Sequence, residues 1–157
     1  MYLGWGNSKM IKFLMAVIVM FSLLEAEEYK AVFDCSSSDA SYIKSRMWLI
    51  GKTWDMIEKK GDKASFVLTV HGGCVPVIST VYDEIVDEND EEIMKLAQES
   101  LIRLVKEKKV KVIVCAMSLA ANTLERKEVL PFVTISENSF IDTIYYQNQG
   151  YALMTFK

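Results

Sequence analysis

Three side chains in this chain can act as sulfur nucleophiles: Cys35, Cys74 and Cys115. Their separations of 39 and 41 residues match no zinc-binding pattern, and His71 is the only histidine, so no structural metal site is expected. Cys115 has the most informative setting. It closes the apolar, β-branched run "KVKVIVC", and a small-residue helical pattern, "AMSLAANTL", begins directly after it. Only the thiolate form of cysteine is nucleophilic, and a sulfur beside a helix start lies near the positive end of the helix dipole. Ser118 as the cap of that helix would place Cys115 just outside it, where free amides can hold an anionic sulfur. The competing reading is a buried free cysteine that fills space at a strand end.

Cys74 falls in "HGGCVP", a glycine-containing stretch read as an exposed loop in which Gly72 and Gly73 give the backbone unusual freedom. There Cys74 is either a second thiol that accepts or resolves what Cys115 carries, or half of a bridge to Cys35. The bridge requires the two α-carbons to come within about 7 Å. A structural disulfide, a redox-active pair and inert thiols all remain open at this point. His71 either lowers the pKa of a nearby thiol or hydrogen-bonds to backbone. Asn122 and Ser118 can supply hydrogen bonds to a ligand, although capping also accounts for Ser118. Trp48 and Trp54 read as core or subunit contacts.

These residues are positioned by an alternating series of elements. "YKAVFDC" (Tyr29 to Cys35) reads as a first strand, followed by the turn and capping cluster "SSSD". Ile43, Met47, Ile50, Trp54 and Ile57 then recur at helical spacing up to Gly61. A second strand spans Ala64 to Val70. The acidic "DEIVDENDEE" precedes a second helix carrying Ile93, Leu96, Leu101, Leu104 and Val105. Its charges suit the start of that helix, and EF-hand spacing is absent. "KVKVIVCA" is the third strand, "SLAANTLER" a short helix, Leu130 to Ser136 the fourth strand, "SFIDTIYYQNQG" a helix closed by Gly150, and "YALMTF" the fifth strand. Strands alternating with helices imply an α/β fold with a mainly parallel sheet covered on both faces, whose ligands gather beyond the carboxyl ends of the strands. Cys35, Cys74 and Cys115 are all expected at that rim.

Length and charge narrow the function classes. At 157 residues and 51% hydrophobic composition the chain supports one ordinary core. A net charge of −3 and the lack of a basic stripe exclude nucleic acid as an expected partner. The turn "DCSSSDAS" has neither the Gly-x-Gly-x-x-Gly nor the Walker pattern, so no nucleotide cofactor is expected. Lys9 and Lys12 precede the apolar run Phe13 to Leu24, which is short for a membrane span and suits the core of an export signal. Residues 1–26 are read as a signal peptide, with Met10 as an alternative start, and residues 27–157 as the domain. A periplasmic location follows. The alternative is an uncleaved segment that anchors the chain to the inner membrane, the only membrane contact expected.

"VHGG", "VIVCAMSL", "VLPFVTISENSFIDTI" and "QNQGYALM" together resemble the DsrE/DsrF-like group of sulfur-relay proteins and their exported relatives. The resemblance runs from Tyr29 to Phe156. Its most specific elements are the cysteine after the third strand and the terminal Gln147, Gly150, Tyr151 and Ala152. It implies a flavodoxin-like three-layer α/β/α sandwich, assembly into homo-oligomeric trimers or hexamers, and a persulfide sulfur on Cys115. It further implies a donor or acceptor that is a protein or a small thiol, and no metal or other cofactor. The chain differs from the cytoplasmic carriers in its export signal, in adding Cys35 and Cys74, and in its longer acidic insertion after "VHGGCVP". A non-catalytic oligomeric module that binds a small ligand, with structural cysteines, is the rival expectation.

Overall fold

The computed structural model describes residues 26–156. Of the segment read as an export signal, residues 1–26, all but Ala26 lies outside them. Among the described residues, no helix is long and apolar enough to cross a membrane.

Five strands, β1 (Glu28–Cys35), β2 (Lys63–Val70), β3 (Lys111–Cys115), β4 (Thr134–Ser136) and β5 (Ala152–Phe156), form one sheet in the order β4-β3-β2-β1-β5. Every neighbouring pair is parallel. The helices between them are α1 (Ala40–Lys59), α2 (Glu91–Lys108), α3 (Ala116–Ala121) and α4 (Ser139–Asn148). From β1 to β4 the chain steps one way across the sheet. It then returns past three strands to reach β5. Because parallel crossovers are right-handed, a reversal of direction carries the connecting helix to the opposite face. The packing agrees. Phe33, Cys35, Phe66, Leu68, Val70, Val112 and Val114 join the core with α1 and α2, while Val32, Val67 and Ile113 pack with Tyr146 of α4. The architecture is therefore an α/β/α sandwich with one face covered more thickly than the other.

Local chemistry explains the element ends. The Asp39 carboxylate accepts the Tyr42 N–H at 2.9 Å and so caps α1. The five apolar residues expected on one face of α1 are all buried. After α1 the chain reverses at Gly61, whose φ of +86° is left-handed and suits a residue without a side chain. Edge-to-face contacts of Phe66 with Phe33 and Trp54, each at 5.1 Å between ring centroids, fix the sheet against α1. Trp48, by contrast, is 59% exposed.

Four details differ from the sequence reading. The α2 face is rotated, so that Met94, Ala97, Leu101 and Leu104 are buried while Leu96 is 41% exposed. Residues 72–78 form a 3-10 helix rather than an exposed loop, and Cys74 through Ile78 are buried. The fourth strand shrinks to Thr134–Ser136 because Pro131 lies in a turn closed by the Val133 N–H to the Leu130 carbonyl at 3.0 Å. Finally, α3 begins at Ala116, one residue after Cys115, so Cys115 and not Ser118 occupies the cap position.

Candidate functional site at the carboxyl edge of the sheet

Side chains alternate between the two faces of a strand. On β3, Val114 faces α1 and α2 whereas Ile113 faces α4, so Cys115 belongs to the α4 face. By the same alternation Asp34 follows Val32 and Thr69 follows Val67 onto that face. Asp34 and Thr69 are register partners, Val70 pairs with Val114, and Cys115 pairs with Ser136. His71 and Cys115 come one residue beyond the Val70–Val114 pair on their strands. Reading across β1, β2, β3 and β4, the α4 face therefore ends in Asp34, His71, Cys115 and Ser136.

The polar contacts at this edge are specific. The Asp34 carboxylate accepts the Thr69 hydroxyl at 2.9 Å and lies 3.0 Å from His71 Nε2. That hydrogen bond raises the His71 pKa above its ordinary value; burial opposes it, and the charges of Asp34 and Cys115 reinforce it. The His71 ring meets Phe140 edge to face at 6.3 Å. A histidine favoured as a cation in the folded state contributes stability that is complete below its unfolded pKa of about 6.5 and is lost as pH rises through the higher folded value. The difference in urea midpoint between the native chain and His71→Gln should accordingly be larger at about pH 5.5 than at about pH 9. Equal differences at both pH values would contradict this assignment.

Cys115 is a free cysteine and 3% exposed. Its Sγ donates weakly to the Glu137 carbonyl at 3.8 Å. Burial pushes the thiol up, but the amides of Ser139, Ser118 and Met117 and the Ser118 hydroxyl outweigh it, leaving the pKa below its ordinary value. Those amides open α3 and α4, so the sulfur sits between two helix starts. Asn138 caps α4 by accepting the Phe140 N–H at 2.8 Å, which fixes where the Ser139 amide points.

The remaining expected residues separate into support and a second feature. The Gly72 N–H donates to Ser118 Oγ at 3.2 Å, and Asn122 Nδ2 donates to the Gly72 carbonyl at 3.2 Å and the Ser118 carbonyl at 2.8 Å. Ser118 and Asn122 thus clamp the segment after β2 onto α3. Gly72 has a φ of +54°. A Cβ on Gly73 would lie 2.7 Å from Ser38 Cβ and 2.9 Å from its backbone, so only glycine allows this approach. Cys35 and Cys74 form a disulfide with α-carbons 5.8 Å apart, both fully buried in the core beneath α1 and α2.

The disulfide corrects two expectations. Cys74 is bonded to Cys35 and carries no thiol in this state, and the bridge joins the core with α1 and α2 whereas Cys115 lies on the α4 face. Nor do the three cysteines share one face: all lie at the carboxyl edge, but Cys35 and Cys74 belong to the α1 and α2 side. Asp34, Thr69 and Ser139 were not singled out from the sequence. A carboxylate in the otherwise apolar "AVFDC" was the signal available for the first of them. Among the described residues no group of three metal-ligating side chains comes together.

The model of the DsrE/DsrF-like family matches residues 30–156. An uncharacterized protein of Aquifex aeolicus (strain VF5) is 35% identical over 144 residues, which cover 92% of this chain and 62% of that protein. The chain therefore spans less than two thirds of that relative's length. Among solved structures it is similar to the protein of unknown function MTH1491 from Methanobacterium thermoautotrophicum. The TM-score is 0.64 at 15% identity, over 82% of this chain and 99% of the other, a likeness of fold.

Proposed function

The chain belongs to the DsrE/DsrF-like family, and on that premise we propose that it is a sulfur carrier whose Cys115 takes up and passes on a sulfane sulfur. The observation that carries this reading is the placement of a free, pKa-lowered thiol at the carboxyl edge of the sheet, facing the amides of Ser139, Ser118 and Met117. In the step envisaged, the Cys115 thiolate attacks the outer sulfur of a persulfide R–S–SH. The donor's S–S bond breaks, its electron pair leaves on R–S⁻, and the outer sulfur with its hydrogen completes Cys–S–SH on Cys115. Sulfur moves without an external oxidant or a metal. The same amides that favour the thiolate would hold the anionic persulfide.

Three further parts of the proposal have their own support. Export to the periplasm is favoured by the run Phe13 to Leu24 behind Lys9 and Lys12, and by a buried disulfide of the kind that persists in oxidising compartments. Homo-oligomerisation, as a trimer or hexamer, is favoured by Phe140, Ile141, Ile144 and Tyr145, a strongly exposed apolar stripe on α4. A protein or small thiol that carries persulfide would act as donor or acceptor. The 3% exposure of Cys115 favours one rival, a non-catalytic oligomeric module in which this cysteine fills space.

Incubation with inorganic polysulfide followed by peptide mass mapping tests the proposal. One added sulfur atom is expected on the peptide containing Cys115, reversed by a small thiol. An unmodified Cys115 in a preparation whose fold is intact would reject the carrier role in favour of the module.

A further inference from the structure

We infer that His71, held by Asp34, is the counter-ion and positioning residue of the Cys115 sulfur anion. This rests on the carrier reading for the importance of Cys115, and it assigns to a neighbouring pair the control of its charge. The geometry comes from three adjacent strand ends. β1 supplies Asp34, β2 supplies His71 and β3 supplies Cys115, all on the α4 face and in consecutive lateral order. Asp34 is itself fixed by the Thr69 hydroxyl at 2.9 Å and takes His71 Nε2 at 3.0 Å. With Nε2–H committed to a carboxylate, the ring becomes a cation when its second nitrogen is protonated. In lateral order Asp34 then lies on its β1 side and Cys115 on its β3 side, and the charge of each favours the cation.

The segments leaving β1 to β4 are "SSSD", "HGGCVPVIST", "AMSLAANT" and "EN", which contain no lysine or arginine, so within these segments His71 alone can carry positive charge. α3 and the 3-10 helix after His71 are uncharged in sequence. α4 brings Asp142, whose carboxylate accepts the Ser136 hydroxyl, and the Phe140 ring, which packs on His71. Glu137 meets Cys115 through its backbone carbonyl. On β5, Thr155 is the register partner of Asp34. Helix amides supply partial charges to the sulfur; His71 supplies the full one.

The test uses the full, tag-free chain and the neutral alkylating agent iodoacetamide, with modification of Cys115 followed by peptide mass against pH. His71→Gln keeps an amide nitrogen able to donate to Asp34 but cannot become a cation. It should raise the apparent pKa of Cys115 by about one unit and slow alkylation about tenfold below that pKa. Asp34→Asn retains an acceptor for Thr69 and should shift the profile the same way by less. Because His71 is the only histidine, its ring protons give isolated resonances in a proton NMR titration, and its pKa should fall in both Asp34→Asn and Cys115→Ser. Alkylation profiles of the folded variants that superimpose on the native one would overturn the inference. So would a His71 titration indifferent to Cys115→Ser, a readout that stands even if His71→Gln does not fold. Failure of the carrier reading shows separately, as absence of the polysulfide adduct on the native chain.

Discussion

Opening the Cys35–Cys74 bridge is expected to lower folding stability by about 4 kcal/mol, a large share of the roughly 5–15 kcal/mol that holds a domain together. The bridge closes a loop of 39 residues spanning α1 and all of β2. A cross-link of that length removes closure entropy from the unfolded chain intermediate between the values for a 15-residue and a 100-residue loop. Both cysteines are fully buried against the α1 and α2 side of the sheet, so Cys35→Ala with Cys74→Ala also leaves small voids. Urea unfolding with and without a reductant, and of the double variant, measures the effect. A change below about 1 kcal/mol would show that the bridge is not a structural tie. Because the bridge packs on the α1 and α2 side and Cys115 on the α4 face, the double variant, where folded, should still take up sulfur at Cys115. Loss of that adduct would instead make the bridge part of the chemistry.

The fold was legible because its two periodicities are strong. Short apolar runs mark β1, β2 and β3, and the spacing of Ile43, Met47, Ile50, Trp54 and Ile57 gives α1 its buried face. Cys115 was also legible, since a strand ending in cysteine directly before a helix sets both its rim position and its amides. What escaped was the face. Asp34 and Cys35 are consecutive, and period-two alternation sends the first to the α4 side and the second, with Phe33, to the opposite core. Noting only that both lie at a strand end merges a site residue with a structural one. Ser118 was misjudged for a related reason. Its capping role depended on α3 beginning at that residue, but the helix starts two residues earlier, and the hydroxyl accepts the Gly72 N–H across to the neighbouring strand's loop. On α2, Leu96 was read onto the apolar face, whereas Met94 and Ala97 are buried and Leu96 is exposed. Contacts between elements, which local sequence does not encode, decided each of these.

Cys115→Ser is expected to abolish polysulfide uptake completely while changing stability by no more than about 1 kcal/mol. Serine is close in size, and its hydroxyl inherits the surroundings of the thiol: the Glu137 carbonyl accepts from it, as it does from Sγ at 3.8 Å, and the Ser139 and Ser118 amides can donate to it. Nothing in the packing then needs the larger sulfur, whereas a hydroxyl in this setting cannot form a persulfide. The two readings of the site part at this variant. A carrier loses sulfur uptake and keeps its unfolding midpoint. A binding module whose Cys115 merely fills space would lose midpoint through the smaller atom and the altered contacts, with nothing chemical to lose. Paired denaturation curves and polysulfide mass maps on the same preparations distinguish these outcomes. A substantial stability loss in Cys115→Ser, together with a native chain that forms no adduct, would assign Cys115 to packing.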